Sequence, residues 1–233
     1  MADARAEFAA AALPDGRVLV TGGFGTDGEV LRTAELFDPG SGTWAAAPSL
    51  KNARARHTAT ALADGRVLVV GGYRTESEWL TSVEIFDPAT MTWADGADLL
   101  DARRLHTATL LEDGLVLVVG GTGASGGELA SAELYDPETN RWTTAAHLDI
   151  ARHRHAAVRL PDGRVLLAGG IAGNDRLVNS SLFDERNDWA PAGELSVGRD
   201  LLAVATLQSG DVLFIGGEGT GPIALDTVDV YVP

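Results

Sequence analysis

The chain has 233 residues, 28 glycines, no cysteine and a formal net charge of −15 at pH 7. Nucleic-acid binding needs a positive field along the phosphate backbone, so this charge argues against a nucleic-acid partner. The lack of cysteine excludes disulfides, thiolate catalysis and cysteine-ligated metals, and no apolar run approaches the ~20 residues of a membrane-spanning helix.

The N-terminal 17 residues carry Asp3, Glu7 and Asp15 and no apolar stretch of the kind that a signal peptide needs. We therefore expect a cytoplasmic protein, or a secreted one whose leader has been removed.

A repeat of about 49 residues runs along the whole chain. Pairs of glycines begin at intervals of 49, 49, 49 and 47 residues, at Gly22, Gly71, Gly120, Gly169 and Gly216. Tryptophans follow at the same spacing: Trp44, Trp93, Trp142 and Trp189. Aromatic residues, the first four of them followed by aspartate, also keep this spacing: Phe37, Phe86, Tyr135, Phe183 and Tyr231. Independent markers in one register indicate a repeat architecture.

The first half of the second repeat predicts two inner strands. Residues 57–62 are mostly small, which suits a strand crowded by its neighbours. Asp64-Gly65 is a two-residue hairpin signal, and the β-branched run at 66–70 predicts a strand buried on both faces. The glycines at 71–72 permit a sharp turn or a close approach of two backbones.

The second half of the same repeat predicts two outer strands. Residues 83–86 alternate as a third strand, Asp87-Pro88 starts a turn, and Thr92-Trp93 begins a short outer strand. The tryptophan is expected to pack between neighbouring repeats. Each four-stranded unit has apolar faces that it cannot bury alone, so stacking of the units forms the core.

This period, with its glycine pair and later tryptophan, resembles the kelch repeat of bacterial kelch and galactose-oxidase-like propellers. The resemblance implies an all-β, kelch-type β-propeller of about five four-stranded blades around a central channel. We expect a single domain over residues 1–233, with repeats at approximately 1–49, 50–98, 99–147, 148–194 and 195–233.

The fifth repeat is incomplete. The last three residues, 231–233, occupy the place of residues 86–88, so the outer strand with its tryptophan is missing. Three interpretations stay open: a five-bladed ring with a three-stranded last blade, a fragment of a larger propeller, or an engineered form. We favour a monomeric five-bladed ring.

The phase of the repeat predicts two chemically different faces. The hairpin and the second turn of each repeat share one face, and both carry aspartates. The links between repeats reach the other face and carry arginines and histidines, as in the segments 53–57, 102–106 and 151–155. The first repeat departs from this pattern, since Glu7 and Phe8 stand where later repeats have arginine or histidine.

The link arginines fall into two groups. Arg54, Arg103 and Arg152 are in strict register, and a structural role would pair them with an acid such as Glu84 or Glu133 across a blade interface; the link histidines would then be neutral and bonded to backbone carbonyls. A second group lies partly off the register and is predicted to bind an anion through guanidinium forks: Arg56, Arg104 and Arg154.

The loops between the second and third strands vary from repeat to repeat, which is typical of recognition segments. Tyr73 and Trp79 lie in one of them, and Trp79 is the one tryptophan outside the repeat register. We predict that both rings contact a ligand. Nearby acids make this face mixed in sign: Glu76, Glu78, Glu128 and Glu218.

These residues predict a non-catalytic binding module for a small anionic molecule or a peptide or protein ligand. The alternative is an isomerase or cyclase in the same channel mouth with His106 or His155 as general base, and a structural propeller without a ligand is a third possibility. We expect no cofactor and no metal, because histidines on different blades lie too far apart to share an ion. The copper site of galactose oxidase needs a cysteine-linked tyrosine that this chain lacks. This chain resembles the sialate epimerases, which are also kelch propellers, only in fold.

Overall fold

The computed structural model describes residues 1–75, 77–184, 186–221 and 223–233. The chain divides into two compact units. The first comprises Met1–Leu105, Gly123–Gly126 and Asp136–Trp142, and the second comprises His106–Thr122, Gly127–Tyr135 and Thr143–Pro233. None of the described residues forms a helix long and apolar enough to cross a membrane. The expectation of a single domain stays a prediction.

The first unit contains two four-stranded antiparallel sheets, which we call blades 1 and 2. Blade 1 has the order β1-β2-β3-β4: β1 (Ala9–Ala12), β2 (Val18–Thr21), β3 (Ala34–Asp38) and β4 (Thr43–Ala47). Blade 2 has the order β10-β9-β6-β5: β5 (Thr58–Ala61), β6 (Val67–Val70), β9 (Val83–Asp87) and β10 (Thr92–Asp95). Three short strands complete this part: β7 (Tyr73–Thr75), β8 (Glu78–Trp79) and β11 (Arg103–Arg104).

The second unit contains most of blade 3 and all of blades 4 and 5. Blade 3 has the order β12-β13-β15-β16: β12 (Thr107–Leu110), β13 (Val116–Val119), β15 (Ala132–Asp136) and β16 (Arg141–Ala145). Blade 4 has the order β17-β18-β21-β22: β17 (Ala156–Arg159), β18 (Val165–Ala168), β21 (Asn179–Phe183) and β22 (Trp189–Glu194). Blade 5 has three strands: β23 (Ala203–Thr206), β24 (Val212–Ile215) and β27 (Val228–Tyr231). The remaining strands are short: β14 (Thr122–Gly123), β19 (Ile171–Ala172), β20 (Asp175–Arg176), β25 (Glu218–Gly219) and β26 (Ile223–Ala224).

The blades therefore confirm the all-β, kelch-type architecture and the three-stranded last blade. The second strand of each blade carries the core, since all four residues of β6 are buried and the same holds for β13 and β18. Four consecutive apolar residues suit a strand that is covered on both faces. Among the described residues no fourth strand pairs with the outer edge of β27, and Val228 and Val230 are exposed.

The register tryptophans join neighbouring repeats, as predicted. The Trp93 ring packs on Phe86 of its own blade at a centroid distance of 5.0 Å. Its Nε1 donates a hydrogen bond to the carbonyl oxygen of Pro48 in the preceding repeat at 2.7 Å. Trp93 also lies against an apolar cluster that includes Leu19 and Leu36 of blade 1. A single large ring thus seals the contact between two blades.

A buried arginine ties each link to the blade that follows it. Arg54 has no exposed surface, and its guanidinium donates to the carbonyl oxygens of Gly71 at 2.8 Å and Ser82 at 3.0 Å. It also donates to the Glu84 carboxylate at 2.7 Å. The predicted pairing of Arg54 with Glu84 is confirmed, but its predicted position was wrong. The pair lies within one repeat rather than across a blade interface, because the link folds back onto the third strand of its own blade.

The carboxylate completes this connection. Glu84 accepts hydrogen bonds from the backbone N–H groups of Lys51 at 2.7 Å and Asn52 at 3.0 Å, both in the link. The same arrangement joins Arg5 to Glu35 at 2.8 Å in blade 1 and Arg199 to Asp229 at 2.6 Å in blade 5. In these three blades the buried charges are thereby paired and hydrogen-bonded, which offsets the cost of burying them.

We expect Glu84→Gln to lower the free energy of unfolding by about 3–5 kcal/mol, because it leaves the buried Arg54 guanidinium without a counter-charge. Chemical denaturation monitored by tryptophan fluorescence measures the change. Glu78→Gln is the matched control, since Glu78 pairs with the exposed Arg74 at 3.0 Å. An exposed pair contributes less than about 1 kcal/mol, so equal losses in the two variants would contradict the structural role of Glu84.

The glycine pair is required by space as well as by backbone angle. Gly72 has a φ of +90°, and a Cβ placed there would lie 2.6 Å from the carbonyl oxygen of Ala55. Gly16 in the first hairpin has a φ of +87° with no atom within 4 Å of such a Cβ. The two positions therefore separate conformational strain from steric overlap.

We expect Gly16→Ala to destabilise the protein by about 1–2 kcal/mol, the strain of a left-handed L-residue. Gly72→Ala should destabilise it by a further ~1–3 kcal/mol, since backbone must move to admit the methyl group. Urea denaturation of both variants tests this difference. Equal effects would show that the close approach at Gly72 is relieved without strain.

Candidate functional site

The links between repeats share an unusual backbone conformation. One residue in each adopts a positive φ between 51° and 57°: Glu7, Arg56, Leu105, Arg154 and Leu201, with Arg56 and Arg154 both at 56°. Such angles are uncommon for residues other than glycine. In the first unit the Arg56 N–H donates to the Glu7 carbonyl at 3.0 Å, and the Leu105 N–H donates to the Arg56 carbonyl at 3.0 Å. These bonds bring consecutive links together, so that Arg56 and Arg104 lie on adjacent links.

Arg56 and Arg104 meet three aromatic rings in the first unit. The guanidinium carbon of Arg104 lies 4.0 Å from the centre of the Trp79 ring and 4.8 Å from that of Tyr73. Arg56 lies 5.5 Å from Tyr73 and 5.8 Å from Phe24. These distances are within the range of cation–π attraction. We call these five residues the arginine–aromatic cluster.

Local pairing of the chain explains this cluster. Strands β7 and β8 form a small hairpin in which Tyr73 pairs with Trp79, so their rings stand on the same side. Tyr73 also exchanges backbone hydrogen bonds of 3.1 Å with Ala55, next to Arg56. Phe24 occupies the position of Tyr73 one repeat earlier and packs edge-on against it at 5.7 Å.

The cluster carries an excess of positive charge. Glu7 forms an ion pair with Arg56, with Nη2 and Oε1 3.1 Å apart, and this hydrogen-bonded carboxylate raises the pKa of Arg56. Burial, and then the charge of Arg56, lower the pKa of Arg104. Within the described part of the chain no carboxylate pairs with Arg104, since Glu78 is bonded to Arg74. Among the described residues, one carboxylate, that of Glu7, therefore pairs with one of the two guanidinium groups.

Arg154 has a different environment in the second unit. Its Nη1 lies 3.4 Å from the carboxylate of Asp200, a residue with no exposed surface. Asp200 also accepts a hydrogen bond of 2.8 Å from Arg176, which lies 3.4 Å from Glu218. Arg154 is therefore neutralised by an acid of the following repeat. Four of the five predicted ligand residues come together, and Arg154 belongs to a separate ion-pair network.

Sequence reasoning missed Phe24, Asp200 and Arg176 as members of these clusters. The 49-residue spacing contains the signal for Phe24, since it precedes Tyr73 by one repeat. Among the predicted acids, Glu128 lies 3.9 Å from Nδ1 of His153, Glu218 pairs with Arg176, and Glu76 lies outside the described residues.

Two link histidines, His57 and His155, are buried and paired with threonines rather than with the backbone carbonyls that we expected. Nε2 of His155 lies 2.9 Å from the Thr107 hydroxyl, and Nε2 of His57 lies 2.8 Å from that of Thr21. Burial, followed by the charge of Arg152, lowers the pKa of His155 to about 3. Such an imidazole is neutral at pH 7, as predicted, but it is a weak base. His106 is equally buried. The geometry gives no support to either histidine as a general base.

Aspartates gather on one face of the second unit, as the repeat phase predicts. A cavity of about 830 Å³ is lined by Asp113 and Asp162 from the first hairpins of two repeats and by Asp184 from a later turn. The carboxylates brace their own turns: Asp162 accepts from the Arg164 N–H at 3.1 Å, and Asp184 accepts from the Arg186 N–H at 2.9 Å. These aspartates therefore have a structural role. No group of three or more histidines, aspartates or glutamates among the described residues is arranged to hold a metal ion.

The buried histidines predict a pH dependence of stability. The folded pKa of His155 lies below the ordinary value of 6.5, so the unfolded state binds the proton first. The stabilisation is fully present above pH 6.5 and decreases as the pH falls toward 3, by up to about 1.4 kcal/mol per pH unit for each such histidine.

We expect the free energy of unfolding of the wild type to decrease as the pH falls from 6.5 to about 4.5. In His155→Gln the slope against pH should be smaller, because about one proton fewer is taken up on unfolding. Urea denaturation at several pH values measures both slopes. Substitution of the exposed His147 by glutamine provides the control. Identical slopes for wild type and His155→Gln would contradict the depressed pKa.

Comparisons with known proteins agree with this architecture. The sequence matches the KLHDC2/KLHL20/DRC7 Kelch-repeats domain over residues 2–170. A solved structure described as the structure of YjhT superimposes with a TM-score of 0.83 at 18% sequence identity, over 96% of this chain and 80% of that chain. At this identity the likeness concerns the fold alone. Comparison with curated proteins gives no significant match. The chain belongs to the kelch-repeat family and has the fold of a kelch-type β-propeller.

Proposed function

We propose that this chain is a non-catalytic binding module whose arginine–aromatic cluster binds a small anionic ligand or an acidic peptide. A kelch propeller is compatible with a binding or scaffold role in general. The observation that supports the more specific role is the state of Arg104, a partly buried guanidinium that lies against two aromatic rings without a carboxylate partner among the described residues.

Arg104 is prepared for an anion by its surroundings. Contacts with Tyr73 and Trp79 restrict the side chain before any ligand arrives, which reduces the entropy lost on binding. A guanidinium group recognises a carboxylate or phosphate through two parallel hydrogen bonds. An incoming anion would also relieve the repulsion between Arg104 and Arg56 that contributes to the lowered pKa of Arg104.

The rings add a preference for the rest of the ligand. Trp79 and Phe24 are half-buried, so each leaves part of an aromatic face accessible. An apolar or planar group next to the anion could cover these faces, and aromatic anchors of this kind supply much of the affinity at binding sites. We therefore expect ligands that join an anionic group to an apolar or planar one.

Binding to Arg104 is testable with matched charge variants. A panel of aromatic and aliphatic carboxylates, phosphate monoesters and short acidic peptides would be screened by thermal shift, and the best binder measured by calorimetry. Arg104→Gln should weaken its affinity about 10- to 100-fold, the value of a hydrogen bond to a charged group. Arg74→Gln removes the same charge from the loop that carries Tyr73 and Trp79 and should change the affinity less than about two-fold.

Arg154→Gln provides a second comparison. Because Asp200 already neutralises Arg154, we expect this variant to bind the same ligand within about two-fold of wild type. Equal losses in Arg104→Gln and Arg74→Gln would indicate a general charge effect and contradict the proposal, as would the absence of any binder in the panel.

A further inference from the structure

Blade 4 departs from the pattern of buried arginine and acid. Arg152 stands 98 residues after Arg54 and is 2% exposed. Its Nη1 donates to the carbonyl oxygens of Gly169 at 3.0 Å and Asn179 at 3.2 Å, as Arg54 donates to Gly71 and Ser82. Its Nε donates to the Ile150 carbonyl at 3.3 Å. In the part of the chain that is described, however, no carboxylate pairs with Arg152, and Nη2 donates no hydrogen bond.

A serine occupies the position of the acid. In blade 2 Glu84 of the third strand pairs with Val69 of the second, and in blade 4 Ser181 pairs with Leu167 in the same register. Glu84 is 1% exposed, whereas Ser181 is half-buried. The shorter, uncharged side chain therefore leaves the surroundings of Arg152 without the two oxygen atoms that a glutamate provides.

Two backbone N–H groups of this link occupy the repeat positions of the donors that bind the Glu84 carboxylate in blade 2. The Glu84 carboxylate accepts from the N–H groups of Lys51 and Asn52, and the equivalent link residues in blade 4, again 98 positions later, are Asp149 and Ile150. Neither of these N–H groups makes a hydrogen bond to a described residue. Asp149 is exposed and Ile150 is half-buried, so both donors remain available to an acceptor from outside the chain.

The electrostatics agree with this geometry. Burial lowers the pKa of Arg152 to about 10, with no nearby acid to oppose it. At Arg54 the charge of Glu84 acts against the same desolvation. Arg152 is still protonated at pH 7, so blade 4 buries a positive charge that none of its described side chains compensates.

We propose that blade 4 binds a small monovalent anion, a formate-like carboxylate or a chloride, at the position that carboxylate side chains occupy in blades 1, 2 and 5. Its ligands would be Nη2 of Arg152, the N–H groups of Asp149 and Ile150, and the hydroxyl of Ser181. A carboxylate of one or two carbons reproduces the glutamate oxygens, and the low exposure of Arg152 excludes bulky anions. This site shares no residue with the arginine–aromatic cluster.

Thermal melting at constant ionic strength and pH 7 tests the site, with sodium gluconate as the bulky reference salt. Replacement of gluconate by formate or by chloride should raise the melting temperature of the wild type by about 2–4 °C. The rise should level off as the anion concentration increases and the site fills. Ser181→Glu supplies the carboxylate covalently, so this variant should melt higher in gluconate and show no further rise. Ser181→Gln fills the same volume without charge and should show neither gain.

Chloride-35 NMR measures the binding directly. The wild type should broaden the chloride resonance, formate should reverse the broadening, and the Ser181→Gln protein should broaden it much less. A broadening that formate does not reverse would overturn the carboxylate form of the proposal and leave chloride as the ligand. An equal rise in melting temperature in wild type and both variants would show a general salt effect and overturn the site, as would no rise and no broadening in the wild type.

Discussion

The rest of the described structure depends on one interaction, the hydrogen bonding of the buried link arginine to the blade that follows it. Where the second and third strands of blade 2 end, at the glycine pair, the carbonyl oxygens of Gly71 and Ser82 face the link. Arg54 satisfies both carbonyls with one nitrogen and binds Glu84 with the other. Because an unpaired buried charge is costly, this set of bonds favours one path for the link.

The path of the link decides where the variable residues lie. Once Arg54 is held inside, Arg56 two positions later adopts a left-handed conformation and bonds to the neighbouring link through its backbone. Its side chain then meets Tyr73 at the start of the variable loop. A constant framework thus presents residues that differ between repeats, which is how rigid scaffolds commonly carry recognition.

The same positions have different chemistry in the two units. Arg154 occupies the register position of Arg56, but Asp200 from the next link neutralises it. Arg104 lies on aromatic rings instead, without an acid among the described residues. Charge balance at a few link positions therefore distinguishes a structural ion pair from a candidate binding site. Blade 4 illustrates the converse case, since the exchange of one acid for Ser181 leaves the framework intact and changes its electrostatics.

The sequence alone determined the repeat, the strands and the unfinished last blade, because glycine pairs, alternating apolar residues and tryptophans act locally and recur at a fixed interval. It also separated the register arginines, such as Arg54, from the variable ones. Only the tertiary structure decided the partners. Glu84 pairs within its own repeat, and His57 and His155 bond to threonines. Asp200 neutralises Arg154, whereas no acid among the described residues pairs with Arg104. These outcomes depend on distances between residues 30 to 49 positions apart in the sequence. The repeat spacing specifies which positions are equivalent, but it does not specify which side chains form ion pairs or hydrogen bonds.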